Sequence, residues 1–150
     1  MRVVIQRVFE SSVSVENKQI AKIGKGMLIF VAVEDTDTDG DIEWLSNKIV
    51  NLRIFDDENG VMNKSVLDVG QEILVVSQFT LFASTKKGNR PSYLRASVPN
   101  ISLPMYKKFV QVLESKLGKP IPQGEFGALM NVSIQNDGPT TIIIDTKLKE

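Results

Sequence analysis

Neither histidine nor cysteine occurs anywhere in the 150 residues. No disulfide can staple this chain, and no zinc site of imidazole or thiolate can nucleate its folding. Whatever fold forms must be held by buried apolar surface and backbone pairing. The length permits that, since a domain of this size buries roughly 68–70% of its unfolded surface. Hydrophobic content of 42% and charged content of 24% are ordinary globular values. One domain spanning residues 1–150 is therefore expected. The same absence limits chemistry. A Ser–His–Asp triad, a Cys–His pair and a thiolate nucleophile are excluded. An enzyme built from this sequence must work with hydroxyls, carboxylates, Lys or Arg, backbone groups, or its substrate. Lack of cysteine fits a cytoplasmic protein. The start of the chain shows no signal-peptide pattern. No apolar run approaches the roughly 18–20 residues of a membrane helix, so no membrane partner is expected.

The hydrophobic pattern reads as strands first. Residues 1–15 are rich in Val and Ile, and the polar Glu16-Asn17-Lys18 suggests a hairpin into residues 20–23. Residues 27–33 form a continuous apolar run of strand length, expected to be buried on both faces. Ile42, Leu45, Ile49 and Leu52 then recur on one helical face, with Thr38 or Asp39 as N-cap. The acidic residues between Glu34 and Glu43 suit the positive end of that helix. Their spacing lacks the glycine and distal glutamate of a calcium loop, so no metal site is assigned. Asn59-Gly60 marks a tight turn, and residues 73–76 a short buried strand. A second helix has Tyr106, Phe109, Val110, Leu113 and Leu117 on its apolar face. Ser102 is its expected cap, Pro104 its first turn and Gly118 its end. Residues 126–134 and 140–145 read as two strands joined by a turn at Asn136-Asp137-Gly138-Pro139. The sum is a single mixed α/β domain, sheet-dominated, with two main helices.

Three segments could carry chemistry. Ser77-Gln78-Phe79-Thr80 follows a buried strand, so a strand end presents polar groups, but the hydroxyls lack a histidine base. Asn136-Asp137-Gly138-Pro139 has turn composition. Net charge is zero, yet Lys86, Lys87, Arg90 and Arg95 occur without an acidic residue between positions 84 and 95. That cationic loop, with Gly88 and Tyr93, suits a limited contact with a phosphate backbone or an RNA end.

Taken together and in order, these segments resemble one family, the D-aminoacyl-tRNA deacylases. The resemblance runs nearly the whole chain. It is carried by Arg2-Val3-Val4-Ile5-Gln6-Arg7-Val8, Ser77-Gln78-Phe79-Thr80-Leu81, Gly88-Asn89-Arg90-Pro91-Ser92, Phe126-Gly127-Ala128 and Asn136-Asp137-Gly138-Pro139. One departure is that Thr140, Thr141 and Ile142 follow Gly-Pro, where the family usually has Val, Thr and often an aromatic. The resemblance implies hydrolysis of the ester joining a D-amino acid, or glycine, to the 3′ terminal adenosine of tRNA. It implies a homodimer whose active site takes Ser77, Gln78, Phe79 and Thr80 from one subunit and the Gly138–Pro139 loop from the other. The Gly-Pro bond is cis in the family. Its carbonyl oxygens hold the substrate's amino group and exclude an L side chain, and Arg7 matches an arginine that helps hold the loop. Lys86, Lys87 and Arg90 become candidate tRNA contacts. No cofactor is implied.

Two mechanisms stay open. Thr80 is the nucleophile in one, with its base unidentified. In the other, the 2′-OH of the terminal ribose assists water while backbone N–H groups near Phe79 and Thr80 stabilise the oxyanion. The second is favoured because it needs no missing side chain. A non-catalytic RNA-end binding module and a dimeric interaction protein are the readings from other classes.

Overall fold

The computed structural model describes residues 1–149. A single long strand, β1 (Arg2–Val15), organises the sheet. Along one edge it pairs antiparallel with β7 (Asn131–Asp145) for nearly its full length. Along the other it pairs first with β3 (Gly26–Ala32) and then with β2 (Lys18–Ile23). The β1–β2 connection is a two-residue turn with Glu16 and Asn17 both at positive φ, 49° and 62°. That is the handedness a tight hairpin requires. β3 pairs in parallel with β6 (Glu72–Ser77), and the intervening chain supplies the crossover. The crossover carries helix α1 (Asp39–Val50), the small hairpin β4 (Phe55–Asp56) and β5 (Met62–Lys64), and a one-turn helix α2 (Val66–Val69). Helix α3 (Pro99–Leu117) lies beside α1.

The apolar run expected to be buried on both faces is so buried. Met27, Ile29, Ile73 and Val75 face α1 and α3, packing with Leu45, Ile49, Phe109 and Leu113. Their neighbours Leu28, Leu74 and Val76 face the other way, against Val8, Val13, Ala21 and Ile23. Met130, just before β7, and Val132, near its start, reach this second cluster. The sheet therefore curls, and β3 from Met27 to Ala32 and β6 from Ile73 to Val76 are continuously apolar because both faces are covered. Burying one such side chain contributes about 1.5–3 kcal/mol. No described helix is long and apolar enough to cross a membrane.

Helix α1 begins as expected. Thr38 is the N-cap, and Asp41 returns the favour in a reciprocal capping box. The helix stops at Val50, so Leu52 packs on the core from the segment beyond it. Helix α3 differs from expectation. It begins four residues earlier, with Pro99 in its first turn and Val98 as a cap without a side-chain bond. Pro104 lies inside the helix, and Ser102 donates its hydroxyl to Val98 O at 3.0 Å. Pro99 supplies the start that the sequence reading assigned to Pro104, because either ring fits a first turn.

The C-terminal region differs more. Residues 131–145 form one strand, not two strands around a turn. Both halves stay paired to β1, so the chain has no partner to fold back upon. The register runs from Gln6↔Thr141 to Val8↔Asn136, and the surplus residues of β7 bulge outward at Asp137-Gly138-Pro139. Residues 126–130 lie outside any strand.

The acidic residues near α1 each have a structural partner. The Met1 ammonium is buried against Asp37 and donates to Thr146 Oγ1 at 2.7 Å. Arg95 pairs with Glu34, and Ser97 donates to Asp35. Lys147 donates to Asp41 Oδ2 at 2.9 Å. Burial pushes the Asp41 carboxyl up, but hydrogen bonds from Lys147, Thr38 and Thr146 outweigh it and hold it well below its ordinary 3.8. Asp145 is also lowered: burial opposes, while bonds from the Lys147 backbone and Arg2 prevail. A depressed carboxylate stabilises the fold above its ordinary value and loses that contribution as pH falls through the lower, folded value. Stability should hold from neutrality to about pH 4 and fall below it. Asp41→Asn should lower the melting temperature at pH 7 and make the acid limb shallower, as measured by thermal unfolding from pH 7 to 2.

Candidate active site

β6 delivers the first candidate segment to the end of the sheet. Ser77 pairs with Val31, and the Gln78 N–H donates to Val31 O at 2.8 Å. The chain then tightens into a 3₁₀ turn, Phe79–Phe82. Its far end is clamped. Arg2 Nη1 donates to Leu81 O at 2.9 Å, while Arg2 Nε and Nη2 donate to Asp145 Oδ2 at 3.0 and 2.8 Å. The Phe82 ring is buried with the Arg2 and Arg95 guanidinium groups each 5.0 Å from its centre. Its near end is open. The turn has no side-chain cap, and the Phe79 and Thr80 N–H groups meet no acceptor among the described residues. Gln78 Nε2 donates to Thr80 Oγ1 at 2.5 Å, which leaves the Thr80 proton free to donate.

Ser77, Gln78 and Phe79 line a cavity of about 630 Å³. Its other walls come from the end of β3, the start of α3, Tyr93 and residues 126–130. Phe126-Gly127-Ala128, noted in the sequence as a motif, forms one side. No charged side chain lines this cavity among the described residues. Of its two phenols, the buried one, Tyr106, donates to Val75 O at 3.3 Å, and burial pushes its ionisation far above the ordinary 10.0. Tyr106 is thus neutral and occupied, and it cannot act as a base. The cavity offers hydroxyls, one amide and free backbone donors. A smaller cleft of about 400 Å³ lies behind Tyr106 and Phe126, beside Gln111 and Glu114, and none of the motif residues 77–80 reaches it.

The Gly138–Pro139 loop stands elsewhere. Its peptide bond is cis. Arg7, almost fully buried, ties the loop to the body. Arg7 Nη1 donates to Ile54 O at 2.7 Å and lies 3.3 Å from Asp56 Oδ1. Its Nε lies 3.2 Å from Asp137 Oδ2, a charge pair outside hydrogen-bond geometry. Asn136 Oδ1 accepts the Thr140 N–H at 3.1 Å and closes the bulge from within. Gly138 sits at φ +125°, and a Cβ there would lie 2.7 Å from Thr140 Oγ1 and 2.9 Å from Thr140 N. The Thr140 departure therefore touches the glycine directly.

Within one chain the two segments do not meet. Arg7 faces Met27, which faces Ile73, four residues before Ser77. The loop is thus roughly 13 Å along the strands from Ser77 and about three strand spacings of 4.8 Å across. Gly138 and Pro139 are exposed, on a strand whose outer edge carries no second strand among the described residues, only an isolated bridge from Asp145 to Leu148. The cationic loop closes by a neck in which Ser84 and Ser92 exchange backbone hydrogen bonds of 2.8 and 2.9 Å. Lys86, Lys87 and Arg90 are all exposed beyond that neck.

Residues 4–145 match the family model described as D-Tyr-tRNA(Tyr) deacylase. The chain belongs to this family. It is 61% identical to the D-aminoacyl-tRNA deacylase of Parabacteroides distasonis and 61% identical to that of Flavobacterium psychrophilum, each over the full length of both chains. A solved structure titled c-Myc DNA Unwinding Element Binding Protein superposes with a TM-score of 0.92 at 41% identity, covering 97% of this chain and 98% of that one.

Sequence reasoning placed the family motifs but missed most of the cavity wall. Val31, Ser97, Ser102 and Tyr106 line it; Val31 read only as a strand residue, Ser102 as a helix cap and Tyr106 as a helix-face residue, and Ser97 carried no reading. Nothing in their spacing signals a shared cavity, because the curl of the sheet brings them together. Thr80 is not among the lining residues. Its hydroxyl accepts the hydrogen bond from Gln78. Two substitutions check the loop's support. Arg7→Ala should cost about 1–3 kcal/mol, since it orphans the buried Ile54 carbonyl. Gly138→Ala should cost about 1–3 kcal/mol by forcing a side chain into a glycine-only conformation. Chemical denaturation measures both.

Proposed function

We propose that the protein hydrolyses the ester of D-aminoacyl-tRNA, releasing tRNA and the free D-amino acid, and that it accepts glycine mischarged on tRNA. The observation that carries this reading is the charge-free cavity behind Ser77, Gln78 and Phe79 in a chain matched over residues 4–145 by the deacylase family. The terminal adenosine and its aminoacyl group occupy the cavity. The free N–H groups of Phe79 and Thr80 receive the developing oxyanion, and such a donor is typically worth about 2.7–4 kcal/mol. Proton transfer falls to the ribose 2′-OH and water, because the cavity holds no side-chain base. The Thr80 hydroxyl, oriented by Gln78, serves as a hydrogen-bond donor and not as the nucleophile.

Chiral selection resides in the Gly138–Pro139 loop. Both enantiomers carry the same groups, so attraction alone separates them poorly, and a backbone wall that leaves no space for the L side chain separates them well. The loop's carbonyls receive the substrate amino group. Since the loop and the 77–80 turn lie far apart in one chain, a symmetric homodimer supplies the loop in trans. The unpaired outer edge of β7 supports that assembly. Arg7 holds the loop through Asp137, and Lys86, Lys87 and Arg90 contact tRNA phosphates in the cytoplasm.

Purified protein assayed on D- and L-aminoacyl-tRNA tests the reading. Only the D ester should turn over; binding without turnover would indicate an RNA-end module, and neither would indicate an interaction protein. Thr80→Val should lower kcat less than about 100-fold, against the about 10⁶-fold loss typical of deleting a nucleophile. Gly138→Ala should raise hydrolysis of the L ester relative to the D ester in the same assay.

A further inference from the structure

The cavity mouth carries two exposed aromatic rings with no assigned task. Phe79 is 57% exposed and Tyr93 is 38% exposed. Their centroids lie 5.1 Å apart at 76°, so the edge of one ring meets the face of the other. This arrangement fixes both rings at low entropic cost. Tyr93 follows the Ser84–Ser92 neck directly, so the cationic loop and the ring share one anchor. Along the surface the order is cavity, Phe79, Tyr93, neck, and then Lys86, Lys87 and Arg90.

We infer that Tyr93, buttressed by Phe79, is a stacking residue for the penultimate nucleotide of the RNA whose terminal nucleoside fills the cavity. The inference rests on the proposed function and adds the route of the strand beyond the terminal nucleoside. Three observations converge on it. A flat aromatic face at a cavity mouth suits an unpaired base, since every base offers a π-face. Cations just beyond suit the phosphates that follow. The neck fixes the distance between the ring and those cations, so base and phosphate are gripped as one unit. The Tyr93 ring makes no hydrogen bond through its hydroxyl among the described residues, so its value lies in the ring.

The test uses the whole protein and an RNA minihelix with a single-stranded 3′ end, prepared with either a normal or an abasic penultimate nucleotide. Binding of the uncharged minihelix is followed by fluorescence anisotropy. Tyr93→Ala should weaken binding of the normal minihelix roughly 5- to 150-fold, the range for one stacked base. Tyr93→Phe should bind like the parent. The abasic minihelix should bind the parent as weakly as the normal one binds Tyr93→Ala, and Tyr93→Ala should weaken it no further. Equal weakening of both RNAs by Tyr93→Ala, or none of either, overturns the inference. On charged minihelix the loss should appear in KM and not in kcat; a loss in kcat alone also overturns it. Because binding is read on uncharged RNA, it stands apart from hydrolysis. Failure of the parent to cleave the D ester would sink the functional reading, whereas the binding cycle would still decide Tyr93.

Discussion

Strand β1 is the member that anchors both the 77–80 turn and the Gly138–Pro139 bulge. Its fourteen residues pair with three other strands, and its two arginines reach in opposite directions. Arg2, at its start, grips the Leu81 carbonyl and Asp145, which fixes the 3₁₀ turn behind Ser77 and Gln78. Arg7, five residues on, grips Ile54 and Asp137, which fixes the Gly138–Pro139 bulge. The pairing with β7 on both sides of the bulge holds the two ends at a constant separation. That separation is too large for one chain to close, and the proposed function therefore draws the loop from a second copy.

Much of this was legible in the sequence, and the reason differs by element. The apolar runs at 27–33 and 73–76 announced strands covered on both faces, because nothing else tolerates such continuity. Thr38 and the Ile42–Leu45–Ile49 face announced α1. The 136–139 segment misled, since its residues are those of a turn. A bulge needs the same left-handed and non-donating residues, and only the pairing partner distinguishes the two. Pro99 and Pro104 compete for one first-turn role, and the local pattern cannot rank them. The motif residues 77–80 were found as a family resemblance, while the cavity they serve required the curl of the sheet.

The missing histidine and cysteine acquire a physical sense from the cavity. Around Gln78 and Phe79 the walls are apolar or neutral, and Tyr106 is held protonated and occupied. Such a site cannot supply a side-chain base, but it strengthens every backbone dipole aimed into it, because little water competes. An aminoacyl ester is an activated substrate, so under the proposed function positioning and oxyanion stabilisation meet most of the demand, and the remaining proton transfer is assigned to the RNA.

The most direct test of that account is hydrolysis of a D-aminoacyl minihelix whose terminal nucleoside is 2′-deoxyadenosine, compared with the ribose form under single-turnover conditions. The account predicts that the deoxy ester binds like the ribose form and is cleaved at least about 100-fold more slowly, the usual scale of a lost acid–base contribution. Cleavage of both forms at the same rate would contradict it and return the nucleophile to the protein.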